Sequence, residues 1–105
     1  MKRRRPIHPL TRLALAMGCA AHNIHIATFR DLGRKEAEAI PVCNAELGGG
    51  RRGEMARLGR KTLLALPDLP EGGRAEAAAT LRACRDAVMS RFEIVSESKM
   101  GDRRT

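Results

Sequence analysis

Aromatic residues are nearly absent from this chain, and their absence limits how its core can be built. There is no tryptophan and no tyrosine, and the two phenylalanines are Phe29 and Phe92. A core must therefore consist of Leu, Ile, Val, Met and Ala, whose side chains bury less area than aromatic rings. A chain of 105 residues is the size of one domain with a modest core. We expect stability to require closely packed helices or oligomerisation.

Cysteine is also scarce, and its spacing excludes the sites that cysteines usually build. Cys19, Cys43 and Cys84 are an odd number without a C-x-x-C pair. A disulfide framework is therefore not expected, and the reducing cytoplasm is the predicted location. Cys19, His22 and His25 form C-x2-H-x2-H, which matches no common zinc site. We predict that the chain binds no metal.

Long apolar runs and catalytic patterns are missing as well. No stretch provides the roughly 20 apolar residues of a membrane-spanning helix, so the sequence predicts no membrane association. The segment GGGRRG (48–53) lacks the G-K-[ST] ending of a phosphate-binding loop. No serine lies in a nucleophile motif. We predict that the protein is not an enzyme and uses no cofactor.

Positive charge is what the chain has in excess. It contains 20 Lys and Arg against 12 Asp and Glu, which gives a net charge of +8 at pH 7. Sixteen of these cations are arginine. Because a guanidinium can bind phosphate or carboxylate with two parallel hydrogen bonds, this composition favours an anionic partner. DNA and an acidic protein are the two candidates.

The apolar periodicity predicts a mostly α-helical domain. A first helix over 9–17 begins at Pro9 and ends at Gly18, with Leu10, Leu13, Ala14 and Met17 on one face. A helix over 54–66 has a weaker stripe, made of Met55, Leu58, Thr62, Leu63 and Leu66. The clearest helix spans 74–92, with a stripe of Ala77, Leu81, Cys84, Val88 and Phe92.

The remaining segments complete the predicted organisation. Residues 31–34 are expected to form a turn, 35–40 a short helix before Pro41, 48–53 a flexible loop and 67–73 a linker. We therefore expect a basic flexible arm at 1–8, one helical domain at 9–95 and a flexible tail at 96–105.

Residues 20–30 fit two structures, of which the helix is slightly favoured. On a helix, Ala20, Ala21, Ile24, Ala27 and Thr28 share one face. The stretch NIHIATF (23–29) also alternates like a strand and is rich in β-branched residues. With IPVCN (40–44) and FEIVS (92–96) as further strands, the alternative fold is α+β with a small antiparallel sheet.

The segment that begins at Leu10 resembles the helix-turn-helix of phage and bacterial repressors. That motif needs small residues at its fifth and ninth positions, which are Ala14 and Gly18 here. Its apolar positions are occupied by Leu13, Met17, Cys19, Ile24 and Ala27. The resemblance implies that Gly18 makes the turn and that the following helix lies in the major groove of DNA.

The resemblance also implies which residues contact the nucleic acid. His22, Asn23, His25 and Ile26 would face base edges, and Arg30 would lie near a phosphate. The arm residues Arg3, Arg4 and Arg5 would contact phosphates or enter a minor groove. Separately from the motif, the sequence predicts a second anion-facing surface, made of Arg51, Arg52, Arg57, Arg60 and Lys61.

Two functions follow as hypotheses. The first is a small DNA-binding protein, such as a phage- or plasmid-type regulator, with Leu81, Val88 and Phe92 forming a dimer contact. Its affinity for DNA would fall steeply as salt rises. The second is a protein-interaction module, a small inhibitor or adaptor that docks an acidic partner. In that module Ile26 and Phe29 would anchor the contact.

Overall fold

The computed structural model describes residues 8–40 and 50–104, with side chains up to residue 90. Over these residues the chain folds into four α-helices and contains no strand. The helices are α1 (Pro9–His22), α2 (Ala27–Ala39), α3 (Gly50–Ala65) and α4 (Arg74–Arg104), and two short 3-10 turns at Leu66–Asp68 and Glu71–Gly73 connect α3 to α4.

The predicted mostly helical fold is confirmed, and the alternative with a small sheet is wrong for the described part of the chain. Residues 27–29 form the start of α2, and 92–96 lie inside α4. Residues 41–44 of the strand proposed at 40–44 are outside the described residues. None of the described helices combines the length and the apolar content that crossing a bilayer requires.

Helix α1 begins as predicted but does not end where predicted. Pro9 is its first residue, and Nδ1 of His8 accepts a hydrogen bond of 3.1 Å from the backbone N–H of Leu10. The helix then continues through Gly18 to His22. A glycine inside a helix costs only about 1 kcal/mol relative to alanine. Burial of Ala20 and Ala21 beyond it offsets that cost, so the predicted helix end at Gly18 is wrong.

The turn between α1 and α2 comprises residues 23–26. Nδ2 of Asn23 donates to the backbone oxygen of Cys19 at 2.9 Å and caps the end of α1. Helix α2 then runs through residues 31–34, where the sequence predicts a turn. Gly33 lies inside this helix, and its missing side chain leaves room for the neighbouring helices. A Cβ at this position would lie 3.2 Å from Leu63 and 3.3 Å from Ala20. The glycine permits a close approach of α2 to its neighbours instead of ending a helix.

The core lies where α1 packs against the other three helices and α4 packs against α1 and α3. The predicted apolar face of α1 is confirmed, because Leu10, Leu13, Ala14 and Met17 are all buried. In α3 the predicted stripe is partly wrong: Leu58 is 43% exposed, whereas Ala56 and Gly59 are buried. Small residues line this face because α3 lies close to Met17 and Cys84.

Helix α4 supplies the other large share of the core. Its predicted stripe is confirmed at Ala77, Leu81, Cys84 and Val88. The prediction that Leu81 and Val88 form a dimer contact is wrong, because both are 0% exposed inside their own chain. The side chain of Phe92 is outside the described residues. The backbone of α4 continues as helix beyond residue 95, through the segment predicted as a tail.

Candidate nucleic-acid interface

The exposed side of α3 carries a row of basic residues. Arg51, Arg57 and Lys61 are all exposed on this side, as is Glu54, the one acidic residue of the helix. Ten residues at about 1.5 Å each place the first and last of these cations about 15 Å apart along the helix axis. That length corresponds to several phosphates, since each DNA strand carries one phosphate per about 3.4 Å of axis.

The row begins at a helix N-terminus, where positive charge is unfavourable for the isolated helix. Arg51 and Arg52 occupy the first turn of α3, which contains no acidic residue. Each cation near the positive end of a helix dipole costs typically about 0.3–1 kcal/mol. The backbone N–H groups and the helix dipole attract an anion to this end of α3, where the exposed Arg51 adds its positive charge.

Two of the five predicted cations, Arg52 and Arg60, are partly buried. Nε of Arg52 donates to the backbone oxygen of Val88 at 2.9 Å, which attaches the first turn of α3 to α4. Nε of Arg60 is shielded from solvent and has no acceptor among the described residues. Arg51, Arg57 and Lys61 therefore form the outward part of the predicted surface, which we call the α3 basic face.

The residues implied by the helix-turn-helix resemblance are arranged differently from the prediction. His22 ends α1, whereas Asn23 and His25 lie in the turn and Ile26 precedes α2. Nη1 of Arg30 donates to the backbone oxygen of Ile24 at 2.8 Å, so this guanidinium braces the turn. The predicted register, with a turn at Gly18 and a recognition helix after it, is therefore wrong.

His22 and His25 are exposed, and Ile26 is 46% exposed, but no single helix face presents them. Arg3, Arg4 and Arg5 lie outside the described residues. Within the part of the chain that the structure describes, no group of three or more His, Cys, Asp or Glu side chains is placed to hold a metal ion. Burial raises the pKa of the Cys84 thiol above its ordinary value.

Charge is distributed unevenly between the helices. Helix α3 has five basic residues against one acidic residue, whereas α2 has three of each, namely Arg30, Arg34, Lys35, Asp31, Glu36 and Glu38. Two of the acidic groups in α2 are paired, since Arg34 contacts Glu38 at 3.2 Å and Arg12 contacts Glu36 at 3.2 Å. The excess positive charge of the described helices is thus concentrated away from α2.

Two exposed apolar residues lie outside the predicted site. Leu15 on α1 is 58% exposed and Leu32 on α2 is 50% exposed. Leu15 follows Leu10 by five residues and Leu13 by two. Residues on one helix face are three or four apart, so the helical period of α1 places Leu15 away from the buried face. The exposure of Leu32 could not be predicted from helical periodicity, because residues 31–34 were predicted to form a turn.

No protein-family model, no curated protein and no solved structure matches this chain.

Proposed function

We propose that the protein binds DNA through the α3 basic face, mainly by contacts to phosphates. The observation that carries this proposal is the row of Arg51, Arg57 and Lys61 along one helix whose N-terminus bears no acidic residue. Phosphate oxygens would take the place of the acidic groups that usually stabilise a helix N-terminus. The overall charge of +8 adds a long-range attraction that speeds association.

This mechanism differs from the one that the helix-turn-helix resemblance implies. Asn23 and Arg30 hold backbone carbonyls of α1 and of the turn, so their polar groups are engaged within the protein. Arg51 and Lys61 of α3 are exposed at the surface, where phosphates can reach them. Arginine also pairs bidentately with guanine, so Arg51 would supply base contact if the protein is a sequence-specific regulator.

Fluorescence anisotropy with a labelled duplex of random sequence tests the proposal. Affinity should fall by orders of magnitude between about 50 and 200 mM salt if the α3 basic face and the arginine arm neutralise about 6 or more phosphates. Loss of one phosphate contact should reduce the slope of log K against log salt by about 1. Absence of binding at about 50 mM salt would remove the proposal.

A pair of double variants with the same net charge locates the binding face. Arg51→Gln with Lys61→Gln should weaken binding by about tenfold at 100 mM salt and reduce the slope by about 2. Arg34→Gln with Arg82→Gln removes two exposed charges from other helices and should change affinity by less than about threefold. Equal losses in both variants would show that net charge, and not the α3 basic face, determines binding.

An acidic protein would be attracted to the same face. It is distinguished from DNA by competition, since excess duplex should release an acidic partner from the α3 basic face. A partner that stays bound in the presence of duplex, combined with no anisotropy change for DNA alone, would favour the protein-interaction hypothesis instead.

A further inference from the structure

We propose that a groove between α3 and α4 binds a short apolar peptide by its free amino and carboxyl ends. This α3–α4 groove has a volume of about 470 Å³ and lies where the two 3-10 turns connect the helices. Pockets that hold small organic ligands usually have volumes of about 300–1,000 Å³. The groove is therefore large enough for a small peptide. The apolar part of its lining consists of Leu58, Ala65, Leu69, Pro70 and Ala77.

The apolar lining is partly open to solvent. Ala65 ends α3 and Ala77 lies near the start of α4, and both side chains are too short to fill the space between the helices. Leu58 is 43% exposed, and Leu69 packs against the core while part of its side chain stays accessible. Because removal of apolar surface from water is favourable, this lining favours a ligand with aliphatic side chains.

Each wall of the groove carries one charge of opposite sign. Lys61 lies on the α3 wall and Glu76 on the α4 wall, and both are exposed. They form no ion pair with each other or with another described residue. A ligand with a carboxylate and an ammonium group can pair with both, whereas a simple anion is attracted by Lys61 but repelled by Glu76. The charge pattern therefore selects a zwitterion.

The separation of these two charges selects a peptide among zwitterions. Because Lys61 and Glu76 do not reach one another, the charges of the ligand must also be separated. In a free amino acid both charged groups share one carbon, whereas each residue of an extended peptide adds about 3.3–3.6 Å between them. The hydroxyl of Thr80 also lines the groove and has no hydrogen-bond partner among the described residues, so it can bind the peptide backbone.

This proposal goes beyond DNA binding and does not depend on it. Lys61 belongs to both the α3–α4 groove and the α3 basic face, so a peptide carboxylate and a phosphate would exclude each other at this residue. Glu76 and the apolar lining belong to the groove alone. The measurements are made without nucleic acid, so a protein that fails to bind DNA would still have the peptide site.

Titration of the ¹⁵N-labelled full chain with the dipeptide leucyl-leucine tests the proposal. Backbone resonances of Leu58, Ala65 and Ala77 should shift together with a Kd of about 1 mM or below. Leucyl-leucine amide lacks the carboxylate and N-acetyl-leucyl-leucine lacks the ammonium group, so each should bind about two- to fivefold more weakly. Absence of shifts at about 20 mM dipeptide would overturn the proposal. Equally tight binding of the acetylated form would also overturn it and would favour a simple apolar carboxylate.

Two charge variants connect each end of the peptide to its residue. In Lys61→Gln the dipeptide and its amide should bind with equal affinity, because the carboxylate has lost its partner. In Glu76→Gln the dipeptide and its acetylated form should bind equally. Both ligands of a pair are compared on the same variant, so a general loss of stability cannot produce this pattern. A preference for the free carboxylate that persists in Lys61→Gln would overturn the assignment.

A variant that fills the groove tests its location. Ala65→Met extends a side chain into the groove and should weaken dipeptide binding by at least about fivefold. Ala75→Met, at an exposed position of α4 that does not line the groove, should leave the Kd unchanged. Equal weakening in both variants would show that the peptide binds elsewhere. Circular dichroism verifies that each variant is folded.

Discussion

At the scale of single residues, glycine has roles here that a sequence pattern does not reveal. Gly18 and Gly59 both lie inside helices, although glycine usually indicates a helix end or a loop. A Cβ on Gly18 would lie 3.1 Å from Cδ of Arg85, a flexible side chain at the surface. A Cβ on Gly59 would collide with Met17 and lie 3.1 Å from Cβ of Cys84, both of which are buried. The same substitution should therefore have opposite effects at the two positions.

We expect Gly18→Ala to raise the free energy of unfolding by up to about 1 kcal/mol, because alanine favours a helix and Arg85 can move aside. Gly59→Ala gains the same propensity but overpacks the contact with Met17, and we expect a net loss of about 1 kcal/mol. Urea denaturation followed by circular dichroism measures both. A lower stability of Gly18→Ala would contradict a helical backbone at this position and would favour a turn there.

At the scale of elements, the buried faces of α1 and α4 could be predicted because they consist of large apolar residues. The buried faces of α2 and of part of α3 consist of small residues and could not be predicted in the same way. The stripe of Leu, Met and Val residues in α1 and α4 identifies the buried face directly. Gly33 and Ala37 form the buried face of α2, and Ala56 and Gly59 form much of that of α3. These residues have no strong apolar signal, and they are buried because neighbouring helices approach closely.

The same limit applies to the candidate site. The exposed positions of Arg57 and Lys61 were predicted from helical spacing, whereas Arg51 was predicted in a flexible loop at 48–53 and lies instead in the first turn of α3. The roles of Asn23 and Arg30 were not, because their partners are backbone carbonyls of Cys19 and Ile24, and carbonyls are present at every position of any sequence. Which carbonyl is left without a partner depends on where a helix ends, and the end of α1 was predicted five residues too early.

Asn23 provides a test of this turn. Asn23→Ala should lower the free energy of unfolding by about 1 kcal/mol, since it removes a hydrogen bond at the end of α1. It should leave the affinity for DNA within about twofold, because the amide is engaged with Cys19 and does not read a base. His25→Ala, at an exposed position of the same turn, is the control for the unfolding measurement and should leave stability unchanged. A loss of DNA affinity in both variants would support the base contacts that the helix-turn-helix resemblance implies.

At the scale of the whole molecule, the described hydrophobic core consists of Leu, Ile, Val, Ala, Met and Cys side chains, and Cys84 lies in it with 0% exposure. Burial raises the pKa of this thiol, because the thiolate is poorly solvated there. The unfolded chain releases the proton at lower pH than the folded chain. Cys84 should therefore make stability decrease as the pH rises above the ordinary thiol pKa.

Thiol labelling distinguishes the two described cysteines. In a Cys43→Ser background, Cys19 should react rapidly with a thiol reagent at neutral pH, because it is exposed. Cys84 should react only as fast as the bundle opens, and urea should accelerate its labelling in parallel with unfolding. Rapid labelling of Cys84 in a folded Cys19→Ser, Cys43→Ser variant would contradict its position in the core.

The hydrogen bond from Arg52 to the backbone of Val88 connects the row of cations to the longest helix through a single guanidinium. In a ¹⁵N-labelled sample, the Nε–H resonance of this arginine is a built-in reporter of that attachment. It should exchange slowly with deuterated solvent while the first turn of α3 stays docked, and it should broaden or shift when a ligand pulls that turn away. This single resonance would thus show whether ligand binding at the α3 basic face changes the contact between α3 and α4.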